Sequence, residues 1–254
     1  MFPQERRQAI INLIKIKKSI SVTDLSHQFF IGEATIRRDL EKLEKKGLLK
    51  RTYGGAILLD GLNSEIPLSI REIEQKDAKD VIGHLASNLV MNGNVIIMDS
   101  SSTVLKMVPF MKGKNDLTVI TNGAKTAVDL GEMLHIKVYS TGGILRENSL
   151  SYIGEHARRF IDNFYADTLF FSCRAISMEK GLTEISEDEA ELRRLMIKNC
   201  RQVVLLCDSS KFNQISLCRI GGFENVTCLI TDQKPDDKWL FTMKERGIDV
   251  IFPV

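Results

Sequence analysis

The sequence predicts an α/β protein with an N-terminal winged helix-turn-helix and a second α/β domain built on a mostly parallel sheet. Charge divides the chain, because residues 1–56 hold 12 Lys and Arg against 6 Asp and Glu, whereas the remainder holds 23 against 27. Short apolar runs separated by helix-length segments recur in the remainder, which is typical of strands buried on both faces of a sheet. A basic module beside an acidic one favours phosphate binding by the first.

The N-terminal residues fit three helices followed by a wing. A helix is predicted over Gln4–Lys17, where isoleucines recur on one side. Ser21 is a suitable N-cap for the short helical run Val22–Phe29. Gly47 is predicted to end the next helix in the left-handed conformation. A basic segment then follows, which we expect to form the wing.

The helix after Glu33 carries the features that predict DNA binding. Ile36, Leu40 and Leu43 fall at i, i+4 and i+7, so one face of this helix packs inward. The first turn of such a helix reads bases in the major groove; an arginine there can bind guanine or clamp a phosphate, and the sequence leaves both open. The alternative is that the paired arginines only form a solvated face, as most charge clusters do. The residues predicted to contact DNA are Ser21, Thr23, Ala34, Thr35, Arg37, Arg38, Lys42, Arg51, Thr52 and Tyr53.

A change of pattern marks the boundary between the two parts. Residues 57–63 leave the helical pattern, Pro67 follows, and a helical run resumes from Ser69. The predicted parts are residues 3–58 for the DNA-binding domain with its helix-turn-helix at about 20–39, 57–68 for a linker, 69–236 for the second, ligand-binding domain, and 237–254 for a C-terminal tail that packs on the second domain.

Polar and glycine-rich turns follow the predicted strands of the second domain. The strands are predicted at Val95–Met98, Leu117–Ile120, Ile136–Tyr139, Thr168–Phe171, Gln202–Leu206 and Val226–Ile230. Because the carboxyl ends of parallel strands meet at one edge of a sheet, we expect these turns to gather where open α/β sheets bind their ligands.

The serine-rich turn after the first of these strands suits an anion. Its N–H groups and hydroxyls can converge on a phosphate at a helix that begins near Thr103, and the positive helix end adds to the attraction. Lys211 can neutralise that phosphate from across the crevice. The alternative is that Ser101 and Ser102 merely cap the helix and that Lys211 is exposed. The residues predicted to bind a small anionic effector are Asp99, Ser100, Ser101, Ser102, Thr103, Thr121, Asn122, Gly142, Gly143, Arg174 and Lys211.

Motifs along nearly the whole chain, from about Glu5 to Asp236, match one family. In the N-terminal part they are Ser21-Val22, Leu25, Thr35–Leu40, Leu43, Gly47-Leu48, Arg51 and Gly54–Ala56. In the second part they are Asp99, Ser102-Thr103, Thr121-Asn122, Gly142-Gly143, Gly154, Gly181–Thr183, Asp208, Lys211-Phe212 and Thr231-Asp232. The chain thereby resembles the DeoR family of bacterial transcriptional regulators. The resemblance implies a ribose-5-phosphate-isomerase-like sensor domain and a regulator of sugar catabolism, usually a repressor, released from its operator by a phosphorylated sugar or related metabolite.

Three positions depart from the family's usual pattern. Gly32 stands where the family usually has serine, and glycine is an acceptable N-cap. Ser101 stands where the family usually has glycine, so serine would be strained if φ there is positive. The segment Ser172–Ala175 stands where the family commonly has a glycine, a small residue, Asp or Asn, and a second glycine. Within it, Arg174 either adapts the site to a more anionic effector than a simple phosphosugar, or points outward, or pairs with Glu184, Glu187 or Asp188.

Two other classes of protein are alternatives to an effector-controlled regulator. A sugar-phosphate isomerase-like enzyme needs a base and an acid, but Ser172–Ala175, where the isomerase relatives carry an acidic cluster, has no carboxylate. An effector-independent DNA-binding protein would use its large domain only to oligomerise. We expect a DNA-binding regulator without enzymatic activity.

The remaining features of the sequence bear on cofactors, location and partners. No cofactor or metal is expected, because the four histidines form no zinc motif and no nucleotide-binding motif occurs. The polar opening and the lack of a run of about 20 apolar residues predict no signal peptide, no membrane contact and a cytoplasmic protein. The five cysteines include no CxxC pair, so reduced thiols are expected. The expected partners are double-stranded operator DNA, a small phosphorylated sugar or related anion, and further copies of the chain in a homodimer or higher homo-oligomer.

Overall fold

The computed structural model describes residues 2–17, 19–45, 48–57 and 65–253. The chain divides into a first unit, Met1–Ile70, and a second unit, Arg71–Val254. Within the described ranges no helix has both the length and the apolar character needed to cross a membrane. All five cysteines are free thiols, and three of them are buried.

The first unit contains three helices and a small antiparallel sheet. Its elements, in chain order, are α1 (Pro3–Lys17), β1 (Ser19–Ser21), α2 (Val22–Phe29), α3 (Glu33–Lys45), β2 (Lys50–Thr52) and β3 (Gly55–Ile57). Strand β3 lies between β1 and β2 and pairs with both. This order confirms the predicted winged helix-turn-helix, in which β2 and β3 form the wing.

The inner face of α3 packs into the core of the first unit. Ile36, Leu40 and Leu43 are all buried and lie in one apolar cluster with residues of α1 and α2, which confirms the predicted inward face. An ion pair also joins α1 to α3, because Arg6 donates from Nε to Asp39 Oδ2 at 2.5 Å and both side chains are buried. The helix stop predicted at Gly47 lies outside the described residues.

Two local features set the path of the chain around α2. Ser21 caps this helix as predicted, since its Oγ accepts a hydrogen bond from the Asp24 N–H at 3.0 Å. Phe30 ends the helix with a left-handed φ of 53°. In the wing, a Cβ atom at Gly55 would lie 2.2 Å from the Ile20 carbonyl oxygen, so only glycine allows β3 to approach β1 this closely.

The second unit is built on a seven-stranded parallel sheet, which confirms the predicted fold class. In spatial order its strands are β15 (Asp249–Ile251), β14 (Cys228–Ile230), β12 (Cys200–Leu206), β9 (Ala166–Phe171), β4 (Val95–Met98), β5 (Leu117–Thr121) and β6 (Ile136–Ser140). A short α4 (Leu68–Arg71) stands at the division between the units in the chain. The other helices are α5 (Lys76–Ser87), α6 (Ser102–Leu105), α7 (Ala124–Gly131), α8 (Glu155–Asp162), α9 (Glu187–Lys198) and α10 (Asp237–Glu245).

Two small antiparallel sheets accompany the main one. Strands β7 (Ile144–Leu145) and β8 (Tyr152–Ile153) pair with each other, and β10 (Ala175–Ser177), β11 (Gly181–Glu184) and β13 (Cys218–Gly221) form a three-stranded sheet. These strands were not among the predicted ones, because they are short and several are half-polar.

Both faces of the parallel sheet are covered. Ile97 and Phe171 belong to one buried apolar cluster, whereas their neighbours Ile96 and Phe170 belong to another. Because successive residues of a strand point to opposite faces, each cluster covers one face. This explains why the strands are continuous apolar runs rather than alternating ones.

The strand order creates a crevice at one edge of the sheet. The chain passes from β4 to β5 and β6 on one side and then returns to β9 on the other side of β4. The boundary between β4 and β9 is therefore the topological switch point, and ligands of open α/β sheets bind beyond the carboxyl ends of the strands there. The serine-rich turn after β4 and the segment after β9 both lie at this point.

The structure differs from the sequence expectations near the predicted linker and at the C-terminus. The helical run expected from Ser69 is interrupted between α4 and α5, where Gln75 has a left-handed φ of 51°. Ile66 and Ile70 pack with the apolar cluster of the first unit, whereas residues 58–64 lie outside the description. The segment predicted as a C-terminal tail supplies α10 and the edge strand β15.

Candidate DNA-binding surface and effector site

The residues predicted to contact DNA lie on the surface of the first unit. Eight of the ten are exposed, and only Ser21 and Thr35 are half-buried. Tyr53 at the tip of the wing is fully exposed. The exposed positions of α3 include Arg37 and Arg38, which lie away from the buried face of this helix. The surface therefore presents cations and small side chains from both α3 and the wing.

Glu33, which the sequence analysis did not single out, holds two of these residues. Arg37 donates from Nη2 to Glu33 Oε2 at 3.2 Å, and Thr23 donates from Oγ1 to Glu33 Oε1 at 3.2 Å. The ion pair is exposed on both sides. Because exposed ion pairs contribute little stability, Arg37 can exchange this carboxylate for a phosphate or a base at low cost.

The other arginines of this surface differ in their contacts. Arg51 donates from Nε to Glu44 Oε2 at 2.5 Å and from its backbone N–H to Glu44 Oε1 at 2.8 Å, which ties the wing to α3. These bonds, led by the one from the Arg51 backbone, lower the pKa of the Glu44 carboxyl. Among the described residues, none accepts a hydrogen bond from the Arg38 guanidinium. Arg38 is therefore the more available cation.

Asp99 lies at the switch point, but its carboxylate is fully engaged by the protein. Oδ1 accepts a hydrogen bond from the Ser101 N–H at 2.9 Å, and Oδ2 accepts from the Ser172 N–H at 3.2 Å and from Arg193 Nε at 2.9 Å. The side chain is buried. Asp99 thus fixes the turn after β4 against the segment after β9, so its chemistry suits a positioning residue better than a ligand.

The serine turn forms without strain, and the helix that follows it is short. Ser101 has a φ of −73° and caps α6 by accepting a hydrogen bond from the Val104 N–H at 3.2 Å. The strain considered for a serine at this position is therefore absent. The expected contribution of a positive helix end is small, because α6 has only four residues.

Two buried oxygens at this edge have no hydrogen-bond partner among the described residues: Thr103 Oγ1 and Asn122 Oδ1. The amide nitrogen of Asn122 is engaged, since it donates to Ser100 Oγ at 3.4 Å and to the Tyr152 carbonyl at 3.3 Å. Buried polar atoms are nearly always paired, so unpaired ones require an explanation. Hydroxyl groups of a small ligand would supply the missing donors. By contrast, the Thr121 hydroxyl already accepts a hydrogen bond from the Gly123 N–H.

Lys211 places a cation at the same edge. Its ammonium donates to Ser172 Oγ at 2.7 Å and lies 3.8 Å from Asp208 Oδ2. The side chain is 17% exposed, so the charge is partly shielded from water. Ser172 in turn connects to Asp99 through its backbone N–H. One chain of contacts therefore links Lys211 to the serine turn.

The two glycines predicted at this site both have positive φ, 61° at Gly142 and 113° at Gly143. We expect Gly143→Ala to destabilise the second unit by about 3 kcal/mol, because its Cβ would lie 2.6 Å from the Ile153 carbonyl oxygen in a strained conformation. Gly142→Ala, whose Cβ would meet open space, should cost about 1 kcal/mol. Urea unfolding, followed by the fluorescence of the single tryptophan, measures the two losses of unfolding free energy. Equal losses in Gly143→Ala and Gly142→Ala would contradict the prediction.

Arg174 is half-buried, and its backbone N–H donates to the Thr183 carbonyl at 3.0 Å. The pairing with Glu184, Glu187 or Asp188, which the sequence left open, is not found among the described residues, and Glu184 and Glu187 bind Arg193 and Arg194 instead. Contact between Arg174 and the effector stays a prediction.

A buried ion cluster behind the site was missed by the sequence analysis. Arg193 of α9 lies 2.9 Å from Asp99, 3.1 Å from Glu184 and 3.0 Å from Glu189. Burial opposes its charge, but the three carboxylates outweigh burial and raise the pKa of Arg193. Burial likewise opposes the charge of Glu189, yet Arg193 and two further arginines, Arg71 and Arg146, lower its pKa. These partners are far apart in the chain, so no local pattern reveals them.

Lys79 of α5 was also missed. It is buried, and its ammonium donates to the backbone carbonyl of Arg71. Burial, followed by the charge of Lys211, lowers the pKa of Lys79 to about 7. In the sequence it is one of several charged residues at the start of a helix, and only its burial distinguishes it.

Solved structures with a related shape are distantly similar to the chain. Ribose 5-phosphate isomerase A from Methanocaldococcus jannaschii aligns with 54% of this chain and 55% of its own, at 15% identity and a TM-score of 0.41. The translation initiation factor eIF-2B from Pyrococcus horikoshii OT3 aligns with 91% of this chain and 82% of its own, at 15% identity and a TM-score of 0.45.

Family comparisons cover both units. The DeoR-like helix-turn-helix domain matches residues 6–61, and the DeoR C-terminal sensor domain matches residues 74–233. An uncharacterized HTH-type transcriptional regulator of Bacillus subtilis, YulB, is 38% identical over 98% of this chain and 96% of its own. The HTH-type transcriptional regulator GolR of Listeria innocua is 37% identical over 98% of each, and a putative aga operon transcriptional repressor of Escherichia coli O157:H7 is 32% identical over 97% and 93%.

These relatives are named as transcriptional regulators rather than enzymes, which confirms the expectation of a protein without enzymatic activity. Matches to both DeoR domains agree with the winged helix-turn-helix and the α/β sensor fold of the structure. The chain therefore belongs to the DeoR family and is a DNA-binding transcriptional regulator with a C-terminal sensor domain.

Proposed function

We propose that this regulator represses a carbohydrate-utilisation operon in the cytoplasm and leaves its operator when a small phosphorylated sugar, or a related anionic metabolite, binds the sensor domain. It does so as a homodimer or higher homo-oligomer, because helix-turn-helix proteins dock two recognition helices in successive major grooves.

One observation carries the effector part of the proposal. One edge of the sheet, at the carboxyl ends of its strands, holds the ammonium of Lys211 and two buried oxygens without a partner among the described residues: Thr103 Oγ1 in the short helix α6 and Asn122 Oδ1 in the turn after β5. A phosphate needs a cation, and the hydroxyls of a sugar supply donors for the two oxygens. A phosphosugar satisfies both requirements with one molecule, whereas an apolar ligand satisfies neither and a cationic ligand meets the like charge of Lys211.

The DNA part rests on α3 and the wing. Arg38 is exposed, and Arg37 would give up an exposed ion pair with Glu33 when it binds DNA. The small side chain of Ala34 leaves the first turn of α3 free to approach base edges. Several relatives are named repressors, among them the putative aga operon repressor, which supports repression rather than activation.

Substitution of Lys211 tests the effector site. We expect Lys211→Met to raise the dissociation constant of a phosphosugar by about 10- to 100-fold, because a charge-assisted hydrogen bond is worth about 1.5–3 kcal/mol. The probes are glucose 6-phosphate, fructose 1-phosphate, fructose 6-phosphate and ribose 5-phosphate. Calorimetric titration measures binding, and a thermal shift measures stabilisation by mass action.

Lys180→Met serves as the matched control, because it removes the same charge from an exposed lysine that forms an ion pair with its neighbour Glu179. It should bind every probe as the wild type does. If no probe stabilises the wild-type protein at large excess, the proposal fails, and a DNA-binding protein whose large domain only oligomerises becomes the better description.

A further inference from the structure

Glu33 places a negative charge in the part of α3 that enters DNA. It is the first residue of this helix, and its side chain is 46% exposed. The first turn of a recognition helix is the part that contacts base edges in the major groove. Because DNA carries a phosphate charge on every nucleotide, an isolated carboxylate at this position would weaken binding to every sequence. A carboxylate at the tip of α3 therefore requires a reason.

The first unit supplies the opposite charge and the fixed conformation that such a carboxylate needs. Arg37, one turn further along α3, donates from Nη2 to Glu33 Oε2 at 3.2 Å. Thr23 of α2 donates from Oγ1 to Glu33 Oε1 at 3.2 Å. The first contact offsets the negative charge, and the two contacts together hold the carboxylate between α2 and α3. A side chain that is already held in this way loses little conformational entropy when it binds a partner.

The carboxylate of Glu33 can still accept hydrogen bonds from a base. An ionised carboxylate has about four lone-pair sites, and the two described contacts use one on each oxygen. In the major groove, guanine presents only acceptors, and adenine presents an acceptor beside its amine, so both oppose a carboxylate. Cytosine presents the N4 amine, which is a donor, and no acceptor of its own. The exposed neighbour Ala34 is small and leaves room for a base edge. Cytosine is therefore the base that Glu33 fits.

We propose that Glu33 is a specificity-determining residue, whose carboxylate accepts a hydrogen bond from a cytosine of the operator while Arg37 and Thr23 hold it in place. This rests on the docking of α3 in the major groove, which is the DNA part of the proposed function, and adds to it the base that is recognised. Arg37 then acts in two ways. One of its five N–H donors neutralises Glu33, and its other donors face DNA.

The test uses an operator fragment selected from a genomic library with the wild-type protein. Each base pair of the fragment is replaced in turn, and the full-length protein is titrated with every variant at one salt concentration. The wild type should lose about 5- to 150-fold in affinity when one particular C·G pair is replaced, since a mismatched base pair costs about 1–3 kcal/mol. Glu33→Ala should bind all four bases at that pair alike and keep the wild-type preferences at the other pairs.

Replacement of Glu33 by glutamine should change the preferred base rather than abolish the preference. A glutamine amide accepts from N6 of adenine and donates to N7, so Glu33→Gln should prefer A·T to C·G at the same pair. Thr23→Val removes the hydroxyl that holds Glu33 and keeps the size of the side chain. This variant should still prefer cytosine, but by a smaller factor than the wild type, because its carboxylate is less constrained.

Glu41→Gln is the matched control, because it removes the same charge from the same helix. The Glu41 side chain is 44% exposed and forms an i,i+4 ion pair with Lys45, as Glu33 does with Arg37. It lies about 12 Å further along the helix axis, away from the end that enters the groove. Glu41→Gln should change the affinity for all operator variants by one common factor and leave every base preference unchanged.

Two results would overturn the inference and leave the proposed function standing. If Glu33→Ala binds every operator variant more tightly by one common factor, the carboxylate only repels DNA. If Glu33→Ala keeps all affinities and only melts at a lower temperature, the ion pair with Arg37 only stabilises α3. A wild-type protein that binds every variant and unrelated DNA alike would instead contradict the proposed recognition of an operator, and the role of Glu33 with it.

Discussion

Replacing Arg37 and Arg38 together by alanine should abolish operator retention and leave stabilisation by the effector unchanged. A good bidentate arginine contact to guanine is worth about 1–3 kcal/mol, so two such contacts correspond to roughly 30-fold to 10⁴-fold in affinity. If the arginines bind phosphates instead, each one lost should also reduce the slope of log affinity against log salt by about 0.9. Titration of the selected operator fragment at several salt concentrations separates the two cases.

The chain offers a matched control in Arg158 and Arg159, a second adjacent pair of arginines on α8 of the sensor domain. Both lie in ion pairs with Glu155 at the protein surface. Their double replacement by alanine removes the same charge from the protein without touching α3. It should leave operator affinity and its salt dependence unchanged. A wild-type salt slope in the Arg37 and Arg38 double variant would mean that α3 does not contact the DNA.

The helices and strands of this protein are predictable because their signals are local. Ile36, Leu40 and Leu43 repeat at the helical period, and the run Val95–Met98 is apolar throughout because both faces of its strand are buried. Asp249–Ile251 has no comparable signal, since it is short and begins with an exposed aspartate, so its place as an edge strand depends on pairing with β14.

The position of the candidate site could be predicted from the sequence, but the contacts that each of its residues makes could not. Turn residues after strands predict an edge, and the structure brings Asp99, Ser101 and Ser172 together there. Asp99 accepts a hydrogen bond from Arg193, which lies 94 residues further along the chain, so no local pattern could predict this contact. Arg193 and Arg194 are adjacent in sequence and equally basic, yet one is buried and the other is exposed. Only the packing of α9 against the sheet makes that difference.

Replacing Arg193 by leucine should destabilise the second unit by about 3–5 kcal/mol, because Asp99, Glu184 and Glu189 would lose their common partner while buried. Trp239 is the one tryptophan of the chain and is buried in the same unit. Its fluorescence during urea unfolding therefore reports this unit alone. The neighbouring change Arg194→Leu removes an exposed partner of Glu187 and should cost less than about 1 kcal/mol.

The loss of unfolding free energy in Arg193→Leu depends on pH if it comes from lost charge pairing, but not if it comes from lost packing. In the wild type, the lowered pKa of Glu189 gives stability that is complete above its ordinary pKa of 4.5 and is lost as pH falls. In the variant, Glu189 stays buried but loses the Arg193 guanidinium, so the pKa of its carboxyl rises above the wild-type value, and acidification protonates it in the folded state and restores part of the stability. The difference in unfolding free energy between the wild type and Arg193→Leu should therefore become smaller as pH falls from 8 to 5. If the difference in unfolding free energy stays constant over this range, the loss comes from the packing of the arginine side chain rather than from its charge. The ion pair from Arg193 to Asp99 would then not be what holds the serine turn in place.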